Sequence, residues 1–167
     1  LSEPGPDPFF SVRGLLRILS TVYGGAVKLR QAAYRQGIFR TCRLSCAVVS
    51  IGNLAAGGTG KTPVAMTVAR HFADRGLRVA LLSRGYGGHA GGAAAAVVSD
   101  GRRLFLGPAE AGDEPFMMAC RLPGIPVLVG SDRVSAGRTA QSRFGAELLV
   151  LDDGFQHLAI HRDLDLV

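Results

Sequence analysis

The feature that most limits the possible folds is a glycine-rich segment between a strand and a helix. The apolar run C-A-V-V-S-I (46–51) predicts a buried strand, and a helical pattern begins near Thr62. Between them lies A-A-G-G-T-G-K-T, from Ala55 to Thr62. Backbone N–H groups converge on one concavity only with dihedrals that glycine adopts at low cost, and the following helix N-terminus attracts anions. The segment therefore predicts a phosphate-binding loop, here called the phosphate loop.

The residues of the phosphate loop have separate expected roles in holding a nucleoside triphosphate. Lys61 places a positive charge on the β- and γ-oxygens, and the Thr62 hydroxyl binds Mg²⁺. The usual pattern has glycine at the position of Ala55, so the start of the loop departs from it. The residues expected to contact the nucleotide are Ala55, Ala56, Gly57, Gly58, Thr59, Gly60, Lys61 and Thr62.

Short apolar runs alternate with helical patterns after the phosphate loop. This alternation predicts an α/β fold with a mostly parallel sheet flanked by helices, of the type found in phosphate-loop nucleotide hydrolases and kinases. One Asp-Gly turn, at residues 100–101, predicts a hairpin between 95–99 and 103–106. The remaining predicted strands are 46–51, 78–83, 125–129 and 147–151, and the predicted helices are 62–73, 114–121 and 132–144.

Two adjacent carboxylates follow the last of these strands. The run L-L-V-L-D-D (148–153) ends in Asp152 and Asp153. Phosphate-loop proteins hold Mg²⁺ with a carboxylate at the end of a neighbouring strand, so this pair is the expected metal side of the site. Neighbours on a strand point to opposite faces, and spacing alone leaves open which of the two contacts the metal.

Polar residues in other loops are candidates for binding or activating an acceptor. Asp113, in A-G-D-E-P, lies at a loop-to-helix boundary and is a candidate base, although an aspartate there also serves as a helix cap. Arg84, Tyr86 and Arg133 follow predicted strands, where α/β sheets bind ligands, and are candidate substrate contacts.

The segment from Phe9 to Leu29 predicts an amphipathic helix. Arg13, Arg17 and Lys28 lie on one face, and the opposite face is apolar. Three cations and the pair Gly24-Gly25 argue against a membrane span, and the pattern favours a helix lying on an anionic membrane surface. The alternative is a helix that packs on its own protein. We assign residues 1–44 to this helix and a linker, and 45–167 to the nucleotide-binding core.

The formal net charge of +6 is compatible with nucleic acid, anionic lipid or a phosphorylated substrate. No basic run is interleaved with aromatic residues, so we expect no nucleic acid partner. The chain ends at Val167 inside an apolar run, and we expect it to be the N-terminal part of a longer protein. The sequence carries no signal for an oligomeric state.

Six motifs in this order closely resemble the tetraacyldisaccharide 4′-kinases, which phosphorylate the 4′-hydroxyl of a lipid A precursor from ATP. They are G-N-L-A-A-G-G-T-G-K-T-P (52–63), L-S-R-G-Y-G-G (82–88), G-D-E-P (112–115), G-S-D-R (130–133), D-D-G-F-Q-H (152–157) and R-D-L-D-L-V (162–167).

The resemblance implies an ATP site at the phosphate loop, Mg²⁺ at Asp152 and Asp153, and a catalytic base at Asp113. It also implies a lipid disaccharide as substrate and a location on the cytoplasmic face of the inner membrane. The alanine at position 55 is typical of that family. The run H-L-A-I-H (157–161) departs from the arginine-rich segment often found there.

Two other functions remain open on the residues alone. One is a phosphate-loop ATPase or GTPase switch, which hydrolyses its nucleotide without an acceptor. The other is a membrane-bound module that senses nucleotides without catalysis. Transfer of a labelled γ-phosphate to a lipid distinguishes both from a kinase.

Overall fold

The computed structural model describes residues 12–53, 60–91 and 95–167. Contacts divide the chain into two compact units, Leu1–Arg40 and Thr41–Val167. The division falls before residues 44–45, where the sequence placed it, because Thr41 and Cys42 already bond to the second unit. The Thr41 hydroxyl donates to the Leu158 carbonyl (3.2 Å), and the Cys42 N–H donates to the Ala159 carbonyl (2.7 Å).

The first unit contains one long helix, α1 (Val12–Arg35). Its large apolar side chains are mostly exposed, including Leu15, Leu16, Leu19 and Val22, each more than half accessible. The predicted helix began at Phe9, and residues 9–11 lie outside the described part of the chain. Within the described ranges, no helix is long and apolar enough to cross a membrane.

The second unit is a six-stranded sheet with helices on both faces. The strands lie in the order β3-β4-β2-β5-β1-β6, and every pairing is parallel except that of β3 with β4. Its elements along the chain are β1 (Ala47–Ile51), α2 (Lys61–Ala73), β2 (Val79–Ser83), a 3₁₀ turn (His89–Gly91), β3 (Ala96–Ser99), α3 (Pro108–Ala111), α4 (Asp113–Arg121), β4 (Val127–Val129), α5 (Arg133–Phe144), β5 (Leu148–Asp152) and β6 (Leu164–Leu166).

This architecture confirms the predicted α/β fold with a mostly parallel sheet. The central strands are continuous apolar runs because both faces of the sheet are covered. One face packs against α2 and α4 through side chains such as Ala69 and Met118. The other packs against α5 through Ala136 and Ala140. Small residues on these helices let them approach the sheet closely.

The predicted hairpin is shorter than expected. β3 pairs mainly with β4, and the second arm at 103–106 is reduced to one bridge between Ser99 and Leu104. The Asp100 carboxylate accepts the backbone N–H groups of Arg102 and Arg103 at 2.8 and 2.7 Å. This local turn takes up donors that a longer strand pairing needs.

We expect Leu149→Ala to destabilise the protein by about 2–5 kcal/mol, because Leu149 is fully buried in a central strand and its loss leaves a cavity. Leu164→Ala is the matched control, since Leu164 lies on the edge strand β6 and is 50% exposed. Urea unfolding measures both variants. Equal losses for the two leucines contradict the placement of β5 in the centre of the sheet.

Candidate active site at the carboxyl edge of the sheet

Four parallel strands end at the same edge of the sheet. β1 and β5 are paired in register up to Ile51 and Asp152, and β2 and β4 up to Ser83 and Val129. The carboxyl ends of such strands are where α/β sheets bind ligands. A cleft of about 570 Å³ opens there, and the residues that line it include Lys61, Thr62, Arg84, Tyr86, Glu114 and the pair Asp152 and Asp153.

Lys61 is the first residue of α2, directly after Gly60, whose φ of 76° lies in the left-handed region. Its Nζ lies 2.8 Å from Oδ1 of Asp153. This hydrogen bond, opposed by partial burial, raises the pKa of Lys61, so the ammonium stays charged at neutral pH. The structure thus brings together the end of the phosphate loop and the acidic pair, which the sequence placed about ninety residues apart.

The two neighbouring aspartates have different environments. Asp152 is 3% exposed, whereas the Asp153 side chain is 41% exposed and pairs with Lys61. Asp153 is the only non-glycine residue with a positive φ (54°) in the described ranges. Aspartate tolerates this conformation better than most residues, and it turns the chain sharply as β5 ends.

Asp152 lies among like charges with little solvent. Burial, followed by the charges of Glu114 and Asp153, raises the pKa of Asp152 to about 6, and Lys61 and Arg133 oppose this shift. Its Oδ1 is buried and has no hydrogen-bond partner. A buried carboxylate oxygen without a donor, in a cleft also lined by Asp153 and Thr62, fits a hard divalent cation such as Mg²⁺.

Among the described side chains, no group of three His, Cys, Asp or Glu residues forms a ready metal site. Mg²⁺ is commonly held by one or two carboxylates together with substrate phosphates and water. The donors present therefore suit a cation that binds together with a phosphorylated ligand.

The three candidate substrate contacts differ in accessibility. Arg84 and Tyr86 are exposed in the cleft, with the Arg84 guanidinium 4.7 Å from the Tyr86 ring and 2.5 Å from its hydroxyl. Arg133, in contrast, is 2% exposed. Its Nη1 donates to the carbonyls of Ser83 (2.6 Å) and Gly130, so it joins the ends of β2 and β4.

Burial, together with the charge of Arg84, lowers the pKa of Arg133 to about 10. Nε and Nη2 of Arg133 are buried without hydrogen-bond partners. The guanidinium therefore supplies positive charge behind Asp152 and Asp153 from within the sheet edge.

Asp113 begins α4 and is exposed. The N-cap position belongs to Gly112, and no side chain caps this helix end. Gly112 lies against the Tyr86 carbonyl so closely that a Cβ there would meet it at 2.4 Å, which places Asp113 next to the loop of Arg84 and Tyr86. The cap interpretation of Asp113 therefore has no hydrogen bond to support it.

Glu114 is a site residue that the sequence argument missed. It lines the cleft, and its charge acts on both Asp152 and Lys61. The available signal was its position beside Asp113, in the first turn of a helix. Ala55, Ala56, Gly57, Gly58 and Thr59, the first part of the phosphate loop, lie outside the described residues.

The mostly parallel sheet, the helix that begins at G-K-T and the aspartates at the end of β5 occur together. This combination defines the phosphate-loop class of nucleotide-binding α/β proteins. A family model described as tetraacyldisaccharide-1-P 4′-kinase matches residues 12–167. The chain belongs to this family.

Similar proteins support the same assignment. The tetraacyldisaccharide 4′-kinase of Desulfatibacillum aliphaticivorans is 52% identical over 98% of this chain and 44% of its own length. That of Geobacter metallireducens is 52% identical over 93% of this chain and 46% of its own length. Among solved structures, LpxK of Aquifex aeolicus, whose "apo" form was crystallised in complex with ATP, matches with a TM-score of 0.84 and 37% identity. That match covers 93% of this chain and 48% of the Aquifex chain, so this chain spans somewhat less than half the length of these relatives.

We expect Asp152→Asn to stabilise the metal-free protein, increasingly as the pH rises. The pKa of Asp152 is about 6 in the folded state and 3.8 ordinarily, so the folded state binds a proton at this carboxyl more tightly than the unfolded state does. Wild-type stability therefore falls as the pH rises through this window. Between pH 4 and pH 8 the variant should gain up to about 3 kcal/mol relative to wild type, at roughly 1.4 kcal/mol per pKa unit.

Urea unfolding in EDTA at several pH values measures this effect. Asp100→Asn is a control of opposite sign, because hydrogen bonds from the Arg103 and Arg102 backbone lower the pKa of Asp100. A pH-independent difference for Asp152→Asn contradicts the raised pKa.

Proposed function

We propose that this chain carries the phosphate-binding and acceptor-activating residues of an enzyme that transfers the γ-phosphoryl group of ATP to the 4′-hydroxyl of a tetraacyldisaccharide 1-phosphate. Family membership and the ATP complex of the Aquifex relative support this proposal. The observation that carries it is the Lys61–Asp153 pair at the start of α2, beside the buried Asp152.

Lys61 is placed to neutralise charge on the transferred phosphoryl group. The Asp153 carboxylate holds its ammonium at the mouth of the cleft and keeps it protonated. In such transfers, positioning and charge stabilisation provide most of the catalysis. The backbone of the phosphate loop, Ala55 to Thr62, supplies N–H donors to the same phosphates in this proposal.

Thr62, Asp152 and Asp153 are the residues that would hold Mg²⁺, and the cation would neutralise negative charge on the phosphates. The raised pKa of Asp152 and its unpartnered Oδ1 mean that the ionised carboxylate lowers the stability of the folded protein. A bound cation would offset that cost, so part of its binding free energy would be used to stabilise the ionised carboxylate.

Asp113 is the proposed base for the acceptor hydroxyl. It is exposed at the start of α4, next to the loop that carries Arg84 and Tyr86. Arg84 and Tyr86, exposed in the cleft, are the proposed contacts of the acceptor disaccharide. Arg133 is proposed to support them from beneath through the Ser83 carbonyl, rather than to reach the sugar directly.

The exposed apolar side chains of α1 are proposed to lie on an anionic membrane surface. We propose that this surface is the cytoplasmic face of the inner membrane, where a lipid substrate and soluble ATP would meet. The apolar residues Leu15, Leu16, Leu19 and Val22 enter the boundary of the acyl chains, while Arg17 and Lys28 bind lipid phosphates.

The decisive experiment follows γ-labelled ATP with the protein expressed over its whole reading frame and a tetraacyldisaccharide 1-phosphate in mixed micelles. We expect the label on the disaccharide lipid. Label released only as free phosphate favours a hydrolase switch, and nucleotide binding without turnover favours a sensing module; either result overturns the proposal.

Lys61→Ala should lower turnover by about 10²–10³-fold, because it removes a preorganised positive charge from the transferred phosphoryl group. The thermal melting curve should keep its cooperative form, since the lysine is partly exposed. Arg102→Ala, which removes an exposed arginine from the hairpin turn, is the matched control for lost charge. Near-normal turnover in Lys61→Ala contradicts the assignment.

Asp113→Asn should lower transfer by about 10²–10⁴-fold while ATP affinity stays within twofold, because a general base acts on the acceptor and not on the nucleotide. Equilibrium binding of a fluorescent ATP analogue and the labelled transfer assay measure the two effects. Asp74→Asn, at the far end of α2, is the control. Loss of ATP binding in Asp113→Asn shows a structural role instead.

A further inference from the structure

The five residues 153–157 form a tight turn after β5, here called the acidic turn. It begins at Asp153, whose φ is 54°, and its backbone is bonded to β1 by the Gly154 N–H, which lies 3.2 Å from the Ile51 carbonyl. Within the turn, the His157 N–H donates to the Gly154 carbonyl at 3.0 Å. The acidic turn is therefore attached to the strand from which the phosphate loop departs.

Two glycines allow this attachment by close approach. A Cβ on Gly52 would lie 2.4 Å from Cβ of Phe155. A Cβ on Gly154 would lie 2.6 Å from Cβ of Leu151 and 2.8 Å from Oγ of Ser50. The end of β1 and the acidic turn thus fit together without space for a side chain at either point.

Arg162 holds the acidic turn from its other side. Its Nη1 donates to the His157 carbonyl at 3.1 Å, and its Nε lies 2.8 Å from Oδ1 of Asp165. The guanidinium also lies 6.0 Å from the centre of the Phe155 ring. Asp165 is on β6, which pairs with β1, and the Arg162 side chain is only 14% exposed. Arg162 therefore contacts the acidic turn at two points and the sheet at one.

This link opposes a repulsion within the site. Asp152, Asp153 and Glu114 carry like charges, and the first two leave one strand end. Like charges at one strand end repel each other, and a backbone held by hydrogen bonds opposes their separation. Arg162 donates to the His157 carbonyl, four residues after Asp153, so it acts on the acidic pair through the position of the backbone.

We propose that Arg162 is a positioning residue that presets Asp152 and Asp153 for a divalent cation at the phosphate loop. This inference rests on the proposed function, because it assumes that the acidic pair binds the cation. Arg162 touches neither nucleotide nor acceptor in this assignment. Its expected effect is on the affinity for the metal.

The test measures Mn²⁺ binding by electron paramagnetic resonance in the presence of a non-hydrolysable ATP analogue. Arg162→Met keeps the aliphatic stem and removes the donors, and we expect about tenfold weaker Mn²⁺ binding, at the low end of what outer partners of metal ligands contribute. Arg162→Lys replaces one donor and should recover part of the affinity. Affinity for the analogue without metal should stay within twofold in both variants.

Arg43→Met is the matched control. Arg43 pairs at 3.5 Å with Asp163, the residue next to Arg162. Its side chain is 73% exposed, and the structure shows no contact between it and the acidic turn. We expect its Mn²⁺ affinity to equal that of wild type. Hydrogen exchange of the His157 amide adds a readout without metal, and it should accelerate in Arg162→Met but not in Arg43→Met.

Asp152→Asn separates the failure of this inference from that of the proposed function. If Asp152→Asn weakens Mn²⁺ binding and Arg162→Met does not, the positioning role is overturned and the metal site stands. If neither variant weakens binding, the acidic pair is not the metal site and both proposals fall. Weaker Mn²⁺ binding in Arg162→Met, together with free phosphate as the only labelled product, supports the positioning role and overturns the kinase.

Discussion

The parallel pairing of β1 with β5 is the constraint on which the rest of the site depends. Five successive residue pairs, from Ala47 and Leu148 to Ile51 and Asp152, keep the two strands in register. Both strands end at the same edge, so the chain leaves β1 at Gly52 and β5 at Asp153 side by side. The 2.8 Å contact between Lys61 and Asp153 follows from this register. A shift of one residue would turn each side chain to the opposite face and separate the two groups.

The charged groups in and beneath the cleft are buried at a cost to the stability of the folded protein. Burial, followed by the charges of Glu114 and Asp153, raises the pKa of Asp152 to about 6, and Lys61 and Arg133 oppose this rise. Arg133 is itself buried, and its own pKa falls to about 10. An acid with a raised pKa close to a base with a lowered pKa is typical of functional sites. At such sites, binding a charged ligand offsets the stability lost by burying these groups. Oδ1 of Asp152 is buried beside this cleft without a hydrogen-bond partner.

The two units of the chain have different physical character. In the second unit, large apolar side chains such as Leu81, Leu128 and Leu149 are fully buried between sheet and helices. In α1, Leu15, Leu16 and Leu19 are more than half exposed. Exposed apolar side chains at this density are typical of a surface that contacts lipid or another protein. The assignment of α1 to a membrane surface and of the second unit to nucleotide binding stays a prediction.

Much of the fold followed from local patterns in the sequence. Apolar runs bounded by turn residues located the strands to within about two residues, which is the ordinary uncertainty of element ends. Gly60, Lys61 and Thr62 marked the start of α2. Asp132 precedes the helical pattern of α5 and caps that helix, as aspartate commonly does. The hairpin was overestimated, because the side chain of Asp100 competes with strand pairing.

By itself, the sequence determined the class of the fold and the strand–loop–helix unit that we propose binds phosphate, because these depend on neighbours in the chain. Tertiary structure alone decided the strand order and the different environments of Asp152 and Asp153. It also decided the burial of Arg133 beneath the cleft and the presence of Glu114 within it. These properties depend on which distant segments meet at the sheet edge, and the local periodicity of side chains carries no information about that.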